Sequence, residues 1–275
     1  MDYSDDSKEY IKSRPILITS NSSGYIKHYR KLLIEKLKTN TNHVIALSPT
    51  DGSSTNLSKL LLHIPLRISR KNNFNLITII FSLIKMMLIV RVLKPKLIHS
   101  HTLKANLISS ITASFYGIPC ILSFTGMGTL SKHNGLKKIL FLLVLKIIKL
   151  TSLFHRISSC SLKKQTGRVV FIYQNPRDLN TYSNFLNPYD KKNNKLIIGS
   201  GLPKDYLNKN LDLQWSNNKI TDRNNVKITF IYCARLLRSK GIIDFIDLAK
   251  KFENFNFNVY GGIDLYSNDS LTKIE

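Results

Sequence analysis

Two cationic side chains near the end of the sequence, Arg235 and Lys240, stand where they could bind phosphate. They belong to Cys233–Gly241 (CARLLRSKG), between an apolar run typical of a strand and a run with helical periodicity. An arginine fork can hold two phosphate oxygens, and a lysine supplies a compact charge. A helix that begins near Gly241 would add its N-terminal dipole and free N–H groups. The alternative is that both are solvated cations in a basic chain.

Gly24 and His101 also follow predicted strands. Gly24 lies in the polar loop after Pro15–Ser20 (PILITS), where it either lets the backbone approach a ligand or serves as an ordinary turn glycine. His101 comes just after the strand-like Lys96–His99 (KLIH). Its imidazole either hydrogen-bonds a ligand hydroxyl or phosphate at the sheet edge or has a structural role.

A glycine-containing loop follows the predicted strand Ile118–Phe124 (IPCILSF). Thr125, Gly126 and Gly128 stand at the start of this loop. The loop either shapes a ligand pocket or acts as a flexible connection.

The charge balance of the chain indicates an anionic partner. Among 275 residues, 41 are Lys or Arg and 17 are Asp or Glu, which gives a formal net charge of +24. Nucleic acid, an anionic membrane surface and phosphorylated substrates all fit this charge. The basic residues do not interleave with aromatics in a recognisable nucleic-acid motif, and no helix-turn-helix or zinc pattern is visible, so we expect no specific nucleic-acid partner.

Cysteine spacing and the N-terminal composition indicate a cytoplasmic protein. Cys120, Cys160 and Cys233 lie far apart without histidines at ligand spacing, so neither a disulfide framework nor a structural metal site is expected. Residues 1–13 mix acids and bases without an apolar core, unlike a secretory signal.

Two long apolar stretches are not expected to span a membrane. Phe74–Val92 contains Lys85 and Arg91, and Leu136–Phe154 contains four lysines. The second stretch reads as a basic amphipathic helix. It either lies on an anionic membrane surface or is a core helix whose lysines, at positions 137, 138, 146 and 149, point into solvent.

The order of apolar runs predicts an α/β protein with a parallel sheet and helices on both faces. Such a sheet binds its ligand at the carboxyl ends of its strands. The predicted strands are Pro15–Ser20, His43–Leu47, Lys96–His99, Ile118–Phe124 and Arg168–Tyr173. The predicted helices between them are Tyr25–Leu37, Phe74–Leu93, Leu103–Tyr116 and Leu136–Phe154.

The strand–helix alternation predicts two domains. A polar segment, residues 1–13, precedes a Rossmann-like N-terminal domain at 14–200, and residues 201–225 are rich in Asn, Lys and Asp and read as a linker. A second, incomplete Rossmann-like domain is expected at 226–275. Its predicted elements are the strand Val226–Cys233, the helix Gly241–Phe252 and the strand Phe255–Tyr260.

Four short motifs in one order resemble the retaining glycosyltransferases of family 4, which have the GT-B fold. Cys233–Gly241 resembles the G-R-L-x-x-x-K-G element that opens their second domain, and Ile172–Leu179 (IYQNPRDL) looks like their F-Q-N-x-x-D segment. Gly199–Gly201 (GSG) is similar to their G-S-G-V-D loop, and Phe124–Gly128 (FTGMG) to their T-G-L-G loop. The resemblance extends over about residues 15 to 265 and is closest to bacterial members acting on polysaccharide or lipid-linked oligosaccharide.

This resemblance implies transfer of a sugar from a nucleotide diphosphate, expected to be UDP, to a glycan or a polyprenyl-diphosphate-linked acceptor in surface polysaccharide synthesis. By the same resemblance, Arg235 and Lys240 match the paired binders of the donor diphosphate, and Gly24 stands where family members bring the backbone close to the donor phosphates. His101, Thr125, Gly126 and Gly128 are the expected acceptor-pocket residues. No cofactor or metal is implied, because side-chain cations stabilise the leaving diphosphate. A peripheral position on the inner face of the cell membrane is expected.

The sequence departs from the family pattern in two places. Some members carry a histidine where Thr125 stands here, and no E-x7-E element, whose glutamates contact the donor sugar and ribose in the family, follows Tyr260. We therefore expect a C-terminally truncated chain, whose catalytic residues are not assigned. A non-catalytic acceptor-binding or regulatory subunit of a glycosyltransferase complex is the alternative.

Overall fold

The computed structural model describes residues 14–40, 43–68, 75–127, 135–161, 168–188, 190–201, 228–264 and 269–272. The chain forms two compact units, Met1–Pro203 and Lys204–Glu275. Each unit contains parallel strands joined by helices, so the α/β class predicted from the alternation of apolar runs is confirmed.

The first unit is built on a seven-stranded parallel sheet. Its strands are β1 (Ile16–Ser20), β2 (Val44–Ser48), β3 (Leu62–Pro65), β4 (Leu97–His101), β5 (Cys120–Phe124), β6 (Val169–Tyr173) and β7 (Asn194–Leu196). Their order across the sheet is β3-β2-β1-β4-β5-β6-β7. The chain moves outward from β1 in one direction and later from β4 in the other. The carboxyl ends of β1 and β4 therefore form the switch point where such sheets bind ligands.

Helices cover both faces of this sheet. They are α1 (Ser23–Tyr29), α2 (Lys31–Asn40), α3 (Ser54–Ser58), α4 (Leu76–Leu93), α5 (Leu103–Tyr116), α6 (Leu136–Ser161) and α7 (Pro176–Leu186). Alternate residues of β1 point into two separate cores: Ile16 and Ile18 pack with α1–α3, and Leu17 belongs to the larger core with α4–α7. A continuous apolar run such as β1 is what a strand covered on both faces requires.

Helix α4 is the most apolar of the described helices. By length and composition alone it could cross a membrane. Asn75 caps its start by accepting a hydrogen bond from the Thr78 amide at 3.3 Å. Met86 and Val90 bury one side of the helix in the larger core, and most of the remaining apolar side chains are exposed.

The structure corrects several predicted elements. The helix predicted over Tyr25–Leu37 is two helices, because Arg30 leaves helical geometry at φ −123° and ψ 5° and turns its side chain inward. The strand predicted to end at His99 continues to His101, since both histidines are buried between neighbouring strands. The sequence patterns also missed β3, α3, α7 and β7. The two strands lie at the sheet edges and are short and only partly buried, so neither shows a clear apolar alternation.

The second unit has two described parallel strands and one α-helix. They are β8 (Thr229–Cys233), β9 (Asn256–Tyr260) and α8 (Ile242–Lys251), with a 3-10 turn at Arg238–Lys240. Tyr232, Ile242 and Leu271 form its described core. The division of the chain falls after Pro203, and the boundaries given from sequence, 14–200, 201–225 and 226–275, stay predictions.

Candidate functional site

The turn between β1 and α1 is fastened by one carboxylate, Asp51. It accepts hydrogen bonds from the Ser23 amide at 2.9 Å, the Ser53 amide at 3.0 Å and the Ser22 hydroxyl at 3.2 Å, and also from the Ser23 hydroxyl. Burial alone would raise the pKa of Asp51, but these hydrogen bonds outweigh burial and lower the pKa below its usual value. An ionised carboxylate therefore holds the turn at the carboxyl end of β1 in place.

Gly24 is the second residue of helix α1, so its predicted place in a loop is wrong. A Cβ at this position would lie 3.1 Å from the Ser53 hydroxyl oxygen. The missing side chain thus lets α1 pack closely against the segment that carries Ser53. Its role in binding donor phosphates stays a prediction.

A buried arginine, Arg30, stands at the centre of the first unit's polar cluster. Its Nε donates to His101 Nδ1 at 3.3 Å, its Nη1 donates to the Tyr29 carbonyl at 3.1 Å, and its Nη2 donates to the Tyr25 hydroxyl. The guanidinium carbon lies 5.1 Å from the centre of the Tyr25 ring. Within the described ranges no carboxylate forms an ion pair with Arg30. Burial lowers the pKa of Arg30 because the charged form loses its hydration.

His101 is the last residue of β4 and is only 1% exposed, so it does not follow the strand as predicted. Because its Nδ1 accepts from Arg30, its proton sits on Nε2, for which the described residues provide no acceptor. Burial, together with His99 and Arg30, holds the pKa of His101 well below its usual range. His101 therefore supports Arg30 as a neutral ring, and its predicted contact with an acceptor stays untested.

His99 lies beside His101 with ring centroids 4.2 Å apart, and its Nε2 is 2.9 Å from the Ser123 hydroxyl oxygen. Burial, and secondly Arg30, lowers the pKa of His99 to about 3. Since an unfolded histidine titrates near pH ~6.5, the unfolded chain binds more protons than the folded chain between the two values. The stability that neutral His99 contributes is complete above pH ~6.5 and is lost as the pH falls towards 3.

We expect wild-type protein to lose about 2 kcal/mol of unfolding free energy through His99 between pH 7 and pH 5. In urea unfolding, the free energy of unfolding of His99→Gln should fall by about 2 kcal/mol less over this pH range than that of wild type. The reason is that glutamine can keep the hydrogen bond to Ser123 without titrating. The matched control is His28→Gln, since His28 is exposed. Equal pH slopes for wild type and His99→Gln would contradict a depressed pKa at His99.

Backbone strain and unpartnered oxygens lie at the same edge of the sheet. Thr102, directly after β4, has φ 79° and ψ 152°, a region that residues with a Cβ rarely adopt. Its Oγ1 is buried without a hydrogen-bond partner in the described part of the chain, as are Ser20 Oγ and Asn21 Oδ1 at the end of the adjacent β1. Buried polar groups are normally satisfied, so this edge has the features of a ligand-binding surface.

Three of the four sequence motifs meet at the ends of β5 and β6. The Gln174 amide donates to the Phe124 carbonyl at 3.2 Å, and the Gln174 side chain donates to the Gly199 carbonyl at 3.2 Å. Gln174 and Ser200 also hydrogen-bond Tyr25. Burial raises the pKa of Tyr25, and the interactions with Arg30, Gln174 and Ser200 offset part of this rise. The structure therefore brings Tyr25 and Arg30 together with the motif residues, a grouping that the sequence did not reveal.

The asparagine and aspartate of the Ile172–Leu179 motif have a structural role. Asn175 Oδ1 accepts from the Asp178 amide at 2.7 Å and Asn175 Nδ2 donates to the Asp178 carboxylate at 2.7 Å, which caps α7. Pro176 occupies the first helical turn, where its missing N–H costs nothing.

The predicted acceptor loop is only partly described. Thr125 and Gly126 follow β5 directly and are half-buried, and Gly126 has φ 116°, which favours glycine. Gly128 lies outside the described residues. The acceptor role of this loop stays a prediction.

In the second unit, Arg235 follows β8 and forms an ion pair with Asp264, which comes shortly after β9. The arginine side chain remains 53% exposed, and Lys240 is exposed at the end of the 3-10 turn. Gly241, with φ 78°, is the N-cap residue that precedes α8. The two cations therefore stand on either side of the connection from β8 to α8, as the sequence predicted.

The connection between the two cations is braced from the chain's last described segment. The Asp269 carboxylate accepts a hydrogen bond from the Ser239 amide at 3.1 Å. The backbone carbonyl of Asp269 accepts another from the Arg238 amide at 2.9 Å. Gly261 fits directly against this connection, because a Cβ there would lie 1.8 Å from the Ala234 carbonyl oxygen. The backbone that carries Arg235 is thus fixed from two sides.

Comparison with solved structures assigns the chain to the GT-B fold, which glycosyltransferases use. The sucrose-phosphate synthase of Thermosynechococcus elongatus matches with a TM-score of 0.62 at 12% identity, over 94% of this chain and 64% of that one. HepE of Anabaena, solved with UDP and glucose, matches with a TM-score of 0.53 at 15% identity, over 92% of this chain and 62% of that one.

The fold is not confined to glycosyl transfer. A UDP-N-acetylglucosamine 2-epimerase from Rickettsia bellii matches with a TM-score of 0.51 at 11% identity, over 90% of this chain and 61% of that one. The chain thus spans about three-fifths of the length of these structures. No family model matches the sequence, and no curated protein matches it significantly.

Proposed function

We propose that the chain is a glycosyltransferase that uses a nucleotide-sugar donor, most simply a UDP-sugar. The observation that carries the proposal is the pair Arg235 and Lys240 on either side of the β8–α8 connection, at the carboxyl end of a parallel strand. HepE, which shares the fold, was solved with UDP-glucose. The resemblance of Cys233–Gly241 to the second-domain element of family 4 enzymes also supports the proposal.

The chemistry that this pair would perform is stabilisation of a leaving group. In glycosyl transfer the bond from the sugar's anomeric carbon to the diphosphate oxygen breaks, and the acceptor oxygen bonds to that carbon and loses its proton. Negative charge grows on the departing diphosphate, where Arg235 can hold two oxygens and Lys240 adds a point charge. The N-terminus of α8 supplies a further positive field. Retention of configuration is the family expectation, and no side chain is assigned as its base or nucleophile.

The proposed acceptor is a glycan or a polyprenyl-diphosphate-linked sugar of surface polysaccharide synthesis. The carboxyl edge of the first unit's sheet supports an acceptor role, because strained Thr102 lies there with the Ser20 and Asn21 oxygens, which have no partner among the described residues. Thr125 and Gly126 extend the same edge at β5.

The experiment that tests the proposal measures UDP binding to the purified protein by calorimetry. It also measures the products formed from UDP-[14C]glucose and from UDP-N-acetylglucosamine. A transferase is supported if UDP binds saturably and if UDP is released from the UDP-sugar when an acceptor is added. Epimerised UDP-sugar without UDP release would replace the proposal by the epimerase reading of the fold. Binding without turnover would favour the non-catalytic subunit.

A peripheral position on the inner face of the cell membrane is also proposed, through helix α6. One side of α6 is buried through Phe141, Val144 and Ile148. The outward side exposes three of the predicted lysines, Lys137, Lys138 and Lys146. It also exposes apolar side chains: Leu136, Ile139, Leu143, Leu150 and Phe154. Lys149 differs, because its Nζ lies 4.9 Å from the centre of the Phe185 ring. A surface with exposed apolar residues and cations suits an anionic leaflet.

We expect the protein to float with vesicles that contain phosphatidylglycerol, and a Lys137→Glu, Lys138→Glu, Lys146→Glu variant to lose most of this binding. The control carries the same charge change on the opposite face of the sheet, Lys31→Glu, Lys36→Glu, Lys59→Glu. Equal flotation of the two variants would show that total charge, and not α6, determines membrane binding.

A further inference from the structure

A cavity of about 610 Å³ opens in the first unit beside the carboxyl ends of β2 and β3. Its described lining comes from the segments that follow these strands, from α4 and from the first turn of α5. A volume of this size is within the range of small-molecule sites, roughly 300–1,000 Å³. None of the described lining residues is among those assigned to the donor diphosphate or to the acceptor.

Arg67 is held at the edge of this cavity by its neighbours in the chain. It stands between Leu66 and Ile68, which are 1% and 3% exposed and belong to the larger core. The Leu66 amide donates to the Ser48 carbonyl at 2.9 Å, directly after β2 and β3 pair. The Arg67 carbonyl accepts from the Ser82 hydroxyl of α4 at 2.7 Å. The backbone of Arg67 is therefore fixed, while the residue itself remains exposed.

The hydrogen bond from Ser82 also brings Arg67 close to a second cation, Lys85. Ser82 and Lys85 are three residues apart on α4, and residues at this spacing are neighbours on a helix surface. Arg67 and Lys85 both line the cavity, and within the described ranges neither side chain forms an ion pair. Lys104, from the first turn of α5, adds a third cation to the lining, and burial lowers its pKa.

The positive charge of the cavity is not balanced by its described lining, which contains neither Asp nor Glu. Like charges in a concave space with apolar walls focus a positive potential, and an anion relieves their repulsion. Arg67 and Lys85 alone supply two charges. A phosphate monoester carries a charge of about −1.5 to −2 at pH 7 and matches this pair, whereas a carboxylate would neutralise only one of the two cations.

The rest of the lining indicates an organic ligand and not a free phosphate ion, because a phosphate group alone would fill only a small part of the cavity. Leu66, Ile68 and Ile79 provide apolar walls. Thr50 and Thr78 provide hydroxyl groups that can pair with polar atoms of a ligand. Apolar walls with a few polar groups are typical of sites for small molecules.

We propose that this cavity binds a soluble organic phosphate monoester, of about the size of a hexose phosphate, through Arg67 and Lys85. The cavity lies at the carboxyl edge of the parallel sheet, where α/β proteins bind their ligands. Its ligand is additional to the nucleotide-sugar donor and the acceptor, and its binding does not depend on glycosyl transfer.

The test titrates the full chain with glucose 6-phosphate, inorganic phosphate and glucose as separate probes, by calorimetry at constant ionic strength. Glucose 6-phosphate should bind at least about tenfold more tightly than either other probe, because only it meets both the cations and the rest of the lining. Arg67→Gln, Lys85→Gln should weaken its binding by about 100-fold or more, since each lost charge-assisted hydrogen bond weakens binding by about tenfold or more.

Two matched controls accompany these variants. Arg91→Gln, Lys146→Gln removes one exposed arginine and one exposed lysine outside the lining and should bind glucose 6-phosphate like wild type. Thr78→Trp should fill part of the cavity and weaken glucose 6-phosphate while leaving inorganic phosphate unaffected. Ile77→Trp, one residue earlier and outside the lining, should change neither.

Four outcomes would overturn the assignment. Equal loss of binding in Arg67→Gln, Lys85→Gln and in the Arg91, Lys146 control would show that total charge, and not the cavity, binds the phosphate. Equal affinity for inorganic phosphate and glucose 6-phosphate would leave a simple anion site. If glucose 6-phosphate does not bind but vesicles containing phosphatidic acid bind in a Lys85-dependent way, the phosphate belongs to a lipid head group. Absence of saturable binding by both glucose 6-phosphate and glycerol 3-phosphate would exclude the soluble ligand.

UDP distinguishes this site from the proposed donor site. Glucose 6-phosphate should bind unchanged to Arg235→Gln, Lys240→Gln, and UDP should bind unchanged to Arg67→Gln, Lys85→Gln. Normal UDP binding without glucose 6-phosphate binding refutes the cavity site and leaves the transferase proposal intact. Glucose 6-phosphate binding that depends on Arg67 and Lys85, in a protein that binds no UDP-sugar, supports the cavity site and refutes the transferase.

Discussion

Replacing Arg235 and Lys240 together by glutamine is expected to lower the affinity for UDP by more than about 100-fold. A hydrogen bond to a charged group contributes roughly 1.5–3 kcal/mol, so each lost cation should weaken binding by about tenfold or more. Both side chains are largely exposed, and the substitutions should leave the fold intact. Calorimetric titration of UDP at constant ionic strength measures the effect.

The control for this experiment is Lys250→Gln, Lys251→Gln, which removes the same charge from the other end of α8. Arg235→Lys is informative as well, because it keeps the charge but loses the fork that can hold two oxygens. It should bind UDP with an affinity between those of wild type and Arg235→Gln. If the double glutamine variant and the Lys250, Lys251 control bind UDP equally, the assignment of the pair to the diphosphate is wrong.

Gly261→Ala is expected to destabilise the second unit by about 3 kcal/mol and to weaken UDP binding. The new methyl carbon would stand 1.8 Å from the Ala234 carbonyl oxygen, and this neighbour is backbone, which cannot rotate away as a side chain can. The connection that carries Arg235 must move to relieve the overlap. Hydrogen exchange of the β8 and β9 amides measures the loss of stability, since it reports on this unit alone.

The adjacent glycine provides the matched control. Gly262→Ala adds the same methyl group one residue later, where the described atoms leave more than 4 Å of free space around it. Gly262→Ala should keep wild-type exchange rates and UDP affinity to within a few tenths of a kcal/mol. Similar behaviour of the two variants would mean that Gly261 is not in close contact with the Arg235 connection.

Much of the fold was predictable because its central strands are continuous apolar runs. β1, β2, β5 and β6 were all predicted to within a few residues, since burial on both faces leaves a strong local signal. The edge strand β3 was missed because it is short and only partly buried. The break at Arg30 was missed because its cause is contact with Tyr25 and His101, which local periodicity cannot reveal.

The residues of the candidate site likewise divide into those that the sequence predicted and those that it missed. Arg235 and Lys240 lie within one short motif, so the sequence alone predicted their position between β8 and α8, and their role in binding the diphosphate stays a prediction. Tyr25, Arg30, Gln174 and Ser200 come from separate parts of the chain and meet only when the strand order of the sheet is known. A signal for Arg30 did exist, because a cation that falls within a run of helical periodicity next to an aromatic is a candidate for burial by pairing.

The helices α4, α5 and α6 contain lysine and arginine but neither aspartate nor glutamate. Any attraction between these three helices and a negatively charged bilayer would therefore meet no repulsion from a carboxylate on the same helices. It would depend strongly on ionic strength, since the screening length shortens from about 30 Å at 0.01 M salt to about 8 Å at 0.15 M. A vesicle-binding measurement made only at low salt would thus overstate the attraction that these helices could exert at cellular ionic strength.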